Sequence, residues 1–366
     1  MNQNIDPILR ADLQRVAEIF PHWEELRNKS VFITGATGLV GSMLVRCLCA
    51  APVPITVIAH VRNEQKARAM FGDLPVVYCV GDVTAPVHYE GKVDHILHTA
   101  SVTASKTFVT QPVDTLMTAI DGTKNLLEFA REKEAASMVY VSSMEAFGIT
   151  DPALERVTEK DLGYIDILSV RSSYSEGKRI CECLCAAYAA QYGVPVKIAR
   201  LAQTFGAGVS RTDGRVFAQF TKACLEGRDI VLHTEGKSMG NYCYTADAVR
   251  GLLTILLRGE NANAYTVVNE STSMPIREVA RLVSDTLTGG RTQVIFDIPE
   301  STLTYGYAPD VTMRLSGDKL RSLGWEPEVD LPDMFRRLAD SFRHQKGDAF
   351  VYPFFHSMPS LPELRI

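Results

Sequence analysis

Tyr174 and Lys178 stand four residues apart, and the stretch SEGKRICECLCAAYAAQY reads as a helix that would set both on one face. An ammonium beside a phenol favours the phenolate, giving a group able to take a proton from a hydroxyl and return it. Such a pair also arises by chance on amphipathic helices, so its meaning depends on what accompanies it. Upstream, VYVSSMEAFG places Ser143 five residues before Gly148. A serine hydroxyl can donate to, and accept from, a neighbouring oxygen. Glu145 adds a carboxylate beside that hydroxyl; its plainer reading is a solvated loop acid.

A second group of residues suits an anion. The apolar run VFIT leads into Gly35-Ala36-Thr37-Gly38-Leu39-Val40-Gly41, and a helical stretch follows. Glycines at 35 and 38 let the backbone turn tightly and approach a pyrophosphate, Gly41 allows close helix contact, and the helix N-terminus offers N–H groups. A structural turn would use glycine too, but strand, spacing and helix occur in the order that dinucleotide binding requires. The next strand ends His60-Val61-Arg62-Asn63, without the acidic residue that usually takes a ribose 2′-hydroxyl. Arg62 is therefore either a solvated cation or a ligand for a 2′-phosphate, which keeps NADP open beside NAD.

These residues need a scaffold, and the sequence supplies alternating short apolar runs and helical stretches. VFITGA, ITVIAHV, VVYCVGDV, DHILHTA, SMVYVSS and VKIARLA alternate with helical segments at 42–50, 63–71, 112–133 and 174–192. That alternation predicts an α/β fold, a doubly wound parallel sheet of the Rossmann type over 29–204. The pattern loosens after about 205 into a smaller C-terminal substrate lobe over 205–343, with helical segments near 215–227, 246–258 and 275–288 and with chain crossing back into the first unit. Residues 1–28 hold an amphipathic helix, apolar at Ile8, Leu9, Leu13, Val16, Ile19 and Phe20. The tail 344–366 carries Phe350, Tyr352, Phe354 and Phe355 without periodicity, as an extended segment or a crossing to a second subunit.

With 366 residues, 46% of them hydrophobic, the chain can bury a large core. A net charge of −5 with no Lys/Arg run argues against nucleic acid as a partner. No stretch approaches a membrane span and the first twenty residues are not a signal sequence, so a cytoplasmic location is expected. The eight cysteines form no CxxC pair and have no clustered histidines, which reads as reduced thiols and no metal. Of Cys181, Cys183 and Cys185, the first and third share a helix face and the second points away, so the three cannot converge on an ion.

The spacing GxxGxxG resembles the extended short-chain dehydrogenase/reductase family, as do Gly81-Asp82-Val83 and His98-Thr99-Ala100-Ser101 after the third and fourth strands. The run Arg171-Ser-Ser-Tyr174-Ser-Glu-Gly-Lys178-Arg179-Ile-Cys-Glu182 is similar to the tyrosine motif of its nucleotide-sugar branch, UDP-glucuronate decarboxylases in particular. Asp213-Gly-Arg215-Val216, Tyr242-Cys-Tyr244-Thr-Ala-Asp247 and Lys319-Leu-Arg-Ser-Leu-Gly-Trp325 are similar to stretches of that group's substrate lobe.

The resemblance implies catalysis by Ser143, Tyr174, Lys178 and Glu145, with NAD held at Gly35, Thr37, Gly38, Leu39, Val40, Arg62, Asp82, Val83, Thr99, Ala100, Ser101, Tyr174 and Lys178. It implies a nucleotide-sugar site at Ser101, Ser143, Met144, Glu145, Gln203, Thr204, Arg215 and Arg314, and a homodimer through 112–133 and 174–192. In such enzymes the sugar C4 is oxidised, chemistry follows at a neighbouring carbon, and the hydride returns. The 4,6-dehydratases of the family carry Asp-Glu where this chain reads Met144-Glu145, and a thioether cannot donate the proton that dehydration needs. Three positions depart from the decarboxylase pattern: Gln203 replaces an Asn, Gly240 replaces an Arg, and the acidic ribose anchor is missing. A 4-epimerase would share the same hydride machinery, and a cofactor-binding protein without catalysis would keep the glycine loop alone.

Overall fold

The computed structural model describes residues 5–299 and 310–345. The aromatic tail positions Phe350 to Phe355 lie outside the described residues. The chain begins with α1 (Pro7–Ile19) and a 3-10 turn (Trp23–Leu26), then runs β1 (Ser30–Thr34), α2 (Leu39–Cys49), β2 (Thr56–Val61), α3 (Glu64–Phe71), β3 (Val76–Val80) and β4 (His95–His98). It continues with α4 (Ser105–Thr110), α5 (Pro112–Glu132), β5 (Ser137–Ser143), α6 (Ser172–Tyr192), β6 (Val196–Leu201) and β7 (Gln203–Phe205). The remainder is α7 (Val216–Leu225), β8 (Ile230–Leu232), β9 (Met239–Tyr244), α8 (Thr245–Arg258), β10 (Ala264–Val267), β11 (Asn269–Pro275), α9 (Ile276–Thr288), β12 (Val294–Phe296), α10 (Asp318–Arg321) and α11 (Leu331–His344).

The large sheet has the order β10-β6-β5-β4-β1-β2-β3, all pairs parallel. Every residue of β1, β4 and β6 is buried, as strands covered on both faces require. The strand order reverses between β1 and β4, so the loops after these two strands open a crevice at their carboxyl ends. Two small sheets, β11-β9-β7 and β12-β8, lie beyond it.

The chain does cross back: β10 pairs with β6, and α8 packs on β5 and β6. Residues 245–267, which the sequence reading puts within the second lobe, thus complete the large sheet. Which segment crosses is not legible in the sequence, because β10 is only four residues long. At the other end, α1 starts at an Asp6 cap that accepts from the Ile8 amide at 2.9 Å. It buries Leu9, Leu13 and Val16 in the main core, and Asp12 is buried beside them.

Candidate active site

The glycine loop is tight enough to exclude side chains. Gly35 sits at φ +63°, and a Cβ there would lie 2.7 Å from the Ala100 amide nitrogen. A Cβ on Gly41 would meet the Gly35 carbonyl oxygen at 2.2 Å. The Gly38 amide donates to the Gly35 carbonyl at 2.8 Å, closing the turn. Gly38 caps α2 with no side chain over the helix end, so first-turn amides of α2 face the crevice. Thr99 Oγ1 donates to the Thr34 carbonyl at 2.7 Å, and Thr34 Oγ1 contacts His98 Nδ1 at 2.7 Å, locking the ends of β1 and β4 together. This cradle fits a dinucleotide pyrophosphate.

Around it, Thr37, Leu39 and Val40 are half-buried on the loop and first helical turn. Arg62 is exposed and lies 3.8 Å from Asp82. The Asp82 carboxyl is held below its ordinary value, chiefly by the Thr84 amide hydrogen bond, with Arg62 adding a smaller pull. Val83 is buried, and its carbonyl accepts from Asn125 Nδ2 at 2.9 Å. Ala100 and Ser101 are half-buried, and the Ser101 hydroxyl donates to the Val102 carbonyl at 3.2 Å.

Ser143 ends β5, its hydroxyl accepts from the Glu145 amide at 3.2 Å, and it lies near enough to the Tyr174 phenol to lower its pKa. Lys178, one turn along α6 from Tyr174, is buried and donates to the Val141 carbonyl at 2.9 Å, its Nζ 5.7 Å from the Tyr174 ring centroid. The sequence reading expects Lys178 to lower the phenol pKa. The structure corrects this: Tyr174 is pushed up to about 12 by burial first and the Glu145 charge second, against opposing pulls from Ser143, Arg171 and Arg215. Burial also lowers Lys178 to about 8, which still leaves the ammonium mostly charged at neutral pH.

Glu145 is clamped. Arg171 donates to its Oε1 at 2.9 Å and Ser175 to its Oε2 at 3.0 Å. Arg179 anchors the Met144–Phe147 turn beneath it by donating to the Ala146 carbonyl at 2.7 Å. Phe108 of α4 covers the phenol, its ring 4.2 Å from that of Tyr174 and tilted by only 10°, with the Arg171 guanidinium 4.7 Å from the Phe108 centroid. Arg171, Ser175, Arg179 and Phe108 were not singled out as site residues. For the first three the signal was present, since positions four apart from the start of α6, Arg171, Ser175 and Arg179, share one face of the helix.

Two expected substrate residues turn away from this centre. Met144 is buried in an apolar cluster with Phe147, Val157, Met313 and Leu315. Thr204 is buried as well, its hydroxyl donating to the Ala202 carbonyl at 3.0 Å. On the strand β7 neighbouring side chains face opposite sides, so Thr204 opposes the exposed Gln203, whereas the 3-10 turn sets Met144 about a third of a turn from Glu145. Arg215 pairs with Asp213 at 2.6 Å yet lies near enough to Tyr174 to influence its pKa. Arg314 is exposed, on an extended stretch whose backbone pairs with Val157.

Cys181 and Cys185 are buried and Cys183 is exposed, all as free thiols. Among the described residues no group of His, Cys, Asp and Glu could hold a metal ion, and no helix is long and apolar enough to cross a membrane.

A doubly wound sheet with a glycine cradle at its switch point, and a Ser, Tyr and Lys set at the same edge, defines a dinucleotide enzyme of the short-chain dehydrogenase/reductase type. The chain belongs to the NAD dependent epimerase/dehydratase family, which it matches over residues 31–269. It is 30% identical over 338 residues to UDP-glucuronic acid decarboxylase 1 of Xenopus tropicalis, covering 89% of this chain and 76% of that protein. To UDP-glucuronic acid decarboxylase 6 of Arabidopsis thaliana it is 28% identical over 326 residues, covering 87% and 90%. In fold it resembles the UDP-glucose 4-epimerase of Thermotoga maritima, with TM-score 0.74, 20% identity, and 86% and 98% of the two chains covered. It likewise resembles a dTDP-glucose 4,6-dehydratase of Streptomyces venezuelae solved with NAD bound, with TM-score 0.71, 24% identity, and 87% and 98% covered.

Proposed function

We propose that the protein uses NAD to oxidise C4 of a UDP-linked uronic acid, releases carbon dioxide, and returns the hydride to the resulting keto-pentose. The observation that carries this is the environment of positions 144 and 145. Glu145 stands clamped within electrostatic reach of Tyr174, while Met144 is buried among apolar side chains, leaving no acid there to expel a hydroxyl from C6. Similarity to UDP-glucuronic acid decarboxylases over most of the chain supports the same reading.

NAD, when bound, supplies the acceptor and later the donor of the hydride. The Gly35–Gly38 turn and the start of α2 hold its pyrophosphate, Asp82 and Val83 its adenine, Arg62 the adenosine edge, and Thr99 to Ser101 the inner wall. Tyr174, as the phenolate that the Lys178 charge and a bound nicotinamide cation would favour against burial, takes the proton of the C4 hydroxyl and gives it back, with Ser143 placed to hydrogen-bond the same oxygen. Lys178 fixes the cofactor side of the phenol. A ketone at C4 is β to the sugar carboxylate, so the bond to carbon dioxide breaks with its electron pair delocalised into that ketone, and C5 of the resulting enolate then takes a proton from water. Gln203, Arg215 and Arg314 take the nucleotide portion.

The reading includes a homodimer through α5 and α6, which pack together and leave Val113, Met117, Ile180 and Tyr192 exposed. It includes a cytoplasmic location, in keeping with eight free cysteines. Mass spectrometry after incubation with UDP-glucuronate tests the activity: the expected product is lighter by about 44 Da, the mass of carbon dioxide. No product from UDP-glucuronate, with water lost from a UDP-hexose or a UDP-hexose epimerised at constant mass, would overturn the reading.

A further inference from the structure

Residues 206–215 follow β7 without helix or strand and end at Arg215, whose charge reaches Tyr174. This segment is held from behind by both chain-terminal helices. The Ala207 amide donates to Tyr244 Oη at 3.4 Å, and that hydroxyl donates to Asp12 of α1 at 2.6 Å. Arg337 of α11 donates to the other Asp12 oxygen at 2.7 Å. In parallel, the Gly208 amide donates to Ser341 Oγ at 3.3 Å, and Ser341 donates to Asp6 at the start of α1. Gln345 completes the attachment, donating to the Val209 carbonyl at 2.7 Å and accepting from the Arg211 amide at 3.1 Å.

Docking of α1 does not need these carboxylates, because Leu9, Leu13 and Val16 already bury its apolar face. Burying Asp12 is costly in itself, and a buried ion pair gives little net stability; what it gives is a fixed geometry. Both carboxylates point along hydrogen-bond relays to adjacent amides of one loop, and that loop delivers Arg215. Neither α1 nor α11 lies within the residues matched to the family.

We infer that α1 is a strap that sets the 206–215 loop, with Asp12 acting through Tyr244, and Asp6 through Ser341, as positioning residues for nucleotide binding by Arg215. The inference rests on the proposed function for what Arg215 binds. Three readouts separate the two: calorimetric affinity for UDP and for NAD, deuterium exchange in 206–215, and turnover of UDP-glucuronate. Tyr244→Phe and Ser341→Ala each cut a relay by one hydroxyl and spare the packing. Each should weaken UDP binding about fivefold, the effect of one lost hydrogen bond. Each should also quicken exchange in the loop and raise KM more than it lowers kcat, with NAD affinity unchanged. Asp12→Asn combined with Tyr244→Phe should be less than additive, since both act on one relay. Arg15→Ala, on the exposed side of α1, should change none of these.

Unchanged UDP affinity and exchange in both relay variants would overturn the strap, as would UDP and NAD affinity falling together with faster exchange throughout. A wild-type protein that fails to bind UDP overturns the assigned role of Arg215. One that binds UDP without releasing carbon dioxide defeats the decarboxylase reading alone, and the strap is then judged by the binding and exchange arms.

Discussion

Phe108 lies flat on Tyr174, ring centroids 4.2 Å apart, although 65 residues separate them in the chain. The stack shields the phenol from water, and burial is the first cause of its pKa of about 12. The raised value means that the phenol favours the folded state fully below pH 10, and that this contribution is lost as pH rises through about 12. Phe108→Ala should bring the phenol ionisation back toward 10, measured as the difference in ultraviolet titration between that variant and its Tyr174→Phe counterpart. An unmoved titration would show that Phe108 is not what buries Tyr174.

What the sequence showed of this site follows from local geometry. Tyr174 and Lys178 share a face because helices repeat nearly every four residues, and Ser143 meets the phenol because parallel strands end at one edge. Gly35 and Gly41 were legible because only glycine fits so close a backbone approach, and Gly38 by its spacing between them. Phe108, the direction of Met144 and the burial of Asp12 depend on which distant segments pack together, and no periodicity carries that. The phenol pKa was misjudged because spacing reveals the neighbouring ammonium and says nothing of the burial that outweighs it.

Glu145→Gln keeps the size of the side chain and removes its charge. Because that charge raises the Tyr174 pKa, the phenol should ionise at lower pH in the variant. Turnover should nevertheless fall by about 10²-fold or more if the carboxylate takes part in the chemistry. The two readouts move in opposite senses. A variant with an easier phenol ionisation and undiminished kcat would reduce Glu145 to an electrostatic bystander.

The glycine loop makes a graded prediction. Gly41→Ala drives a Cβ to 2.2 Å from a backbone oxygen, and Gly35→Ala adds left-handed strain to a 2.7 Å clash, so both should abolish NAD binding and lower Tm. Gly38→Ala meets its nearest atom at 3.2 Å and should retain part of the binding. The order is read from absorbance of bound nucleotide in the purified variants; a Gly38 variant worse than the Gly41 variant would contradict the loop geometry.

Asp12 should leave a signature in stability. Burial lifts its pKa from 3.8 to about 6, over the opposing pull of Tyr244 and Arg337. A carboxyl raised in this way stabilises the fold fully below pH 3.8, and the contribution is lost as pH rises through about 6. Over that window wild type should lose about 3 kcal/mol relative to Asp12→Asn, as two pKa units imply. Urea unfolding of both proteins at matched pH values measures it, and parallel profiles would show that Asp12 does not titrate there.

Met144→Asp tests the reaction class from the other side. By sequence alone this substitution restores the Asp-Glu pair of a 4,6-dehydratase and should confer loss of water from a nucleotide-hexose. The structure predicts otherwise, because residue 144 is buried in the cluster of Phe147, Val157, Met313 and Leu315. An aspartate there would lose the apolar contacts of the thioether and bury a carboxyl without partners, at a cost of about 3 kcal/mol or more. The expected outcome is a Tm lower by roughly 4 °C or more and no product of dehydration by mass spectrometry. Water loss by the variant would mean that the turn carrying residues 144–147 rotates on substrate binding, bringing position 144 to the sugar and Glu145 away from Arg171.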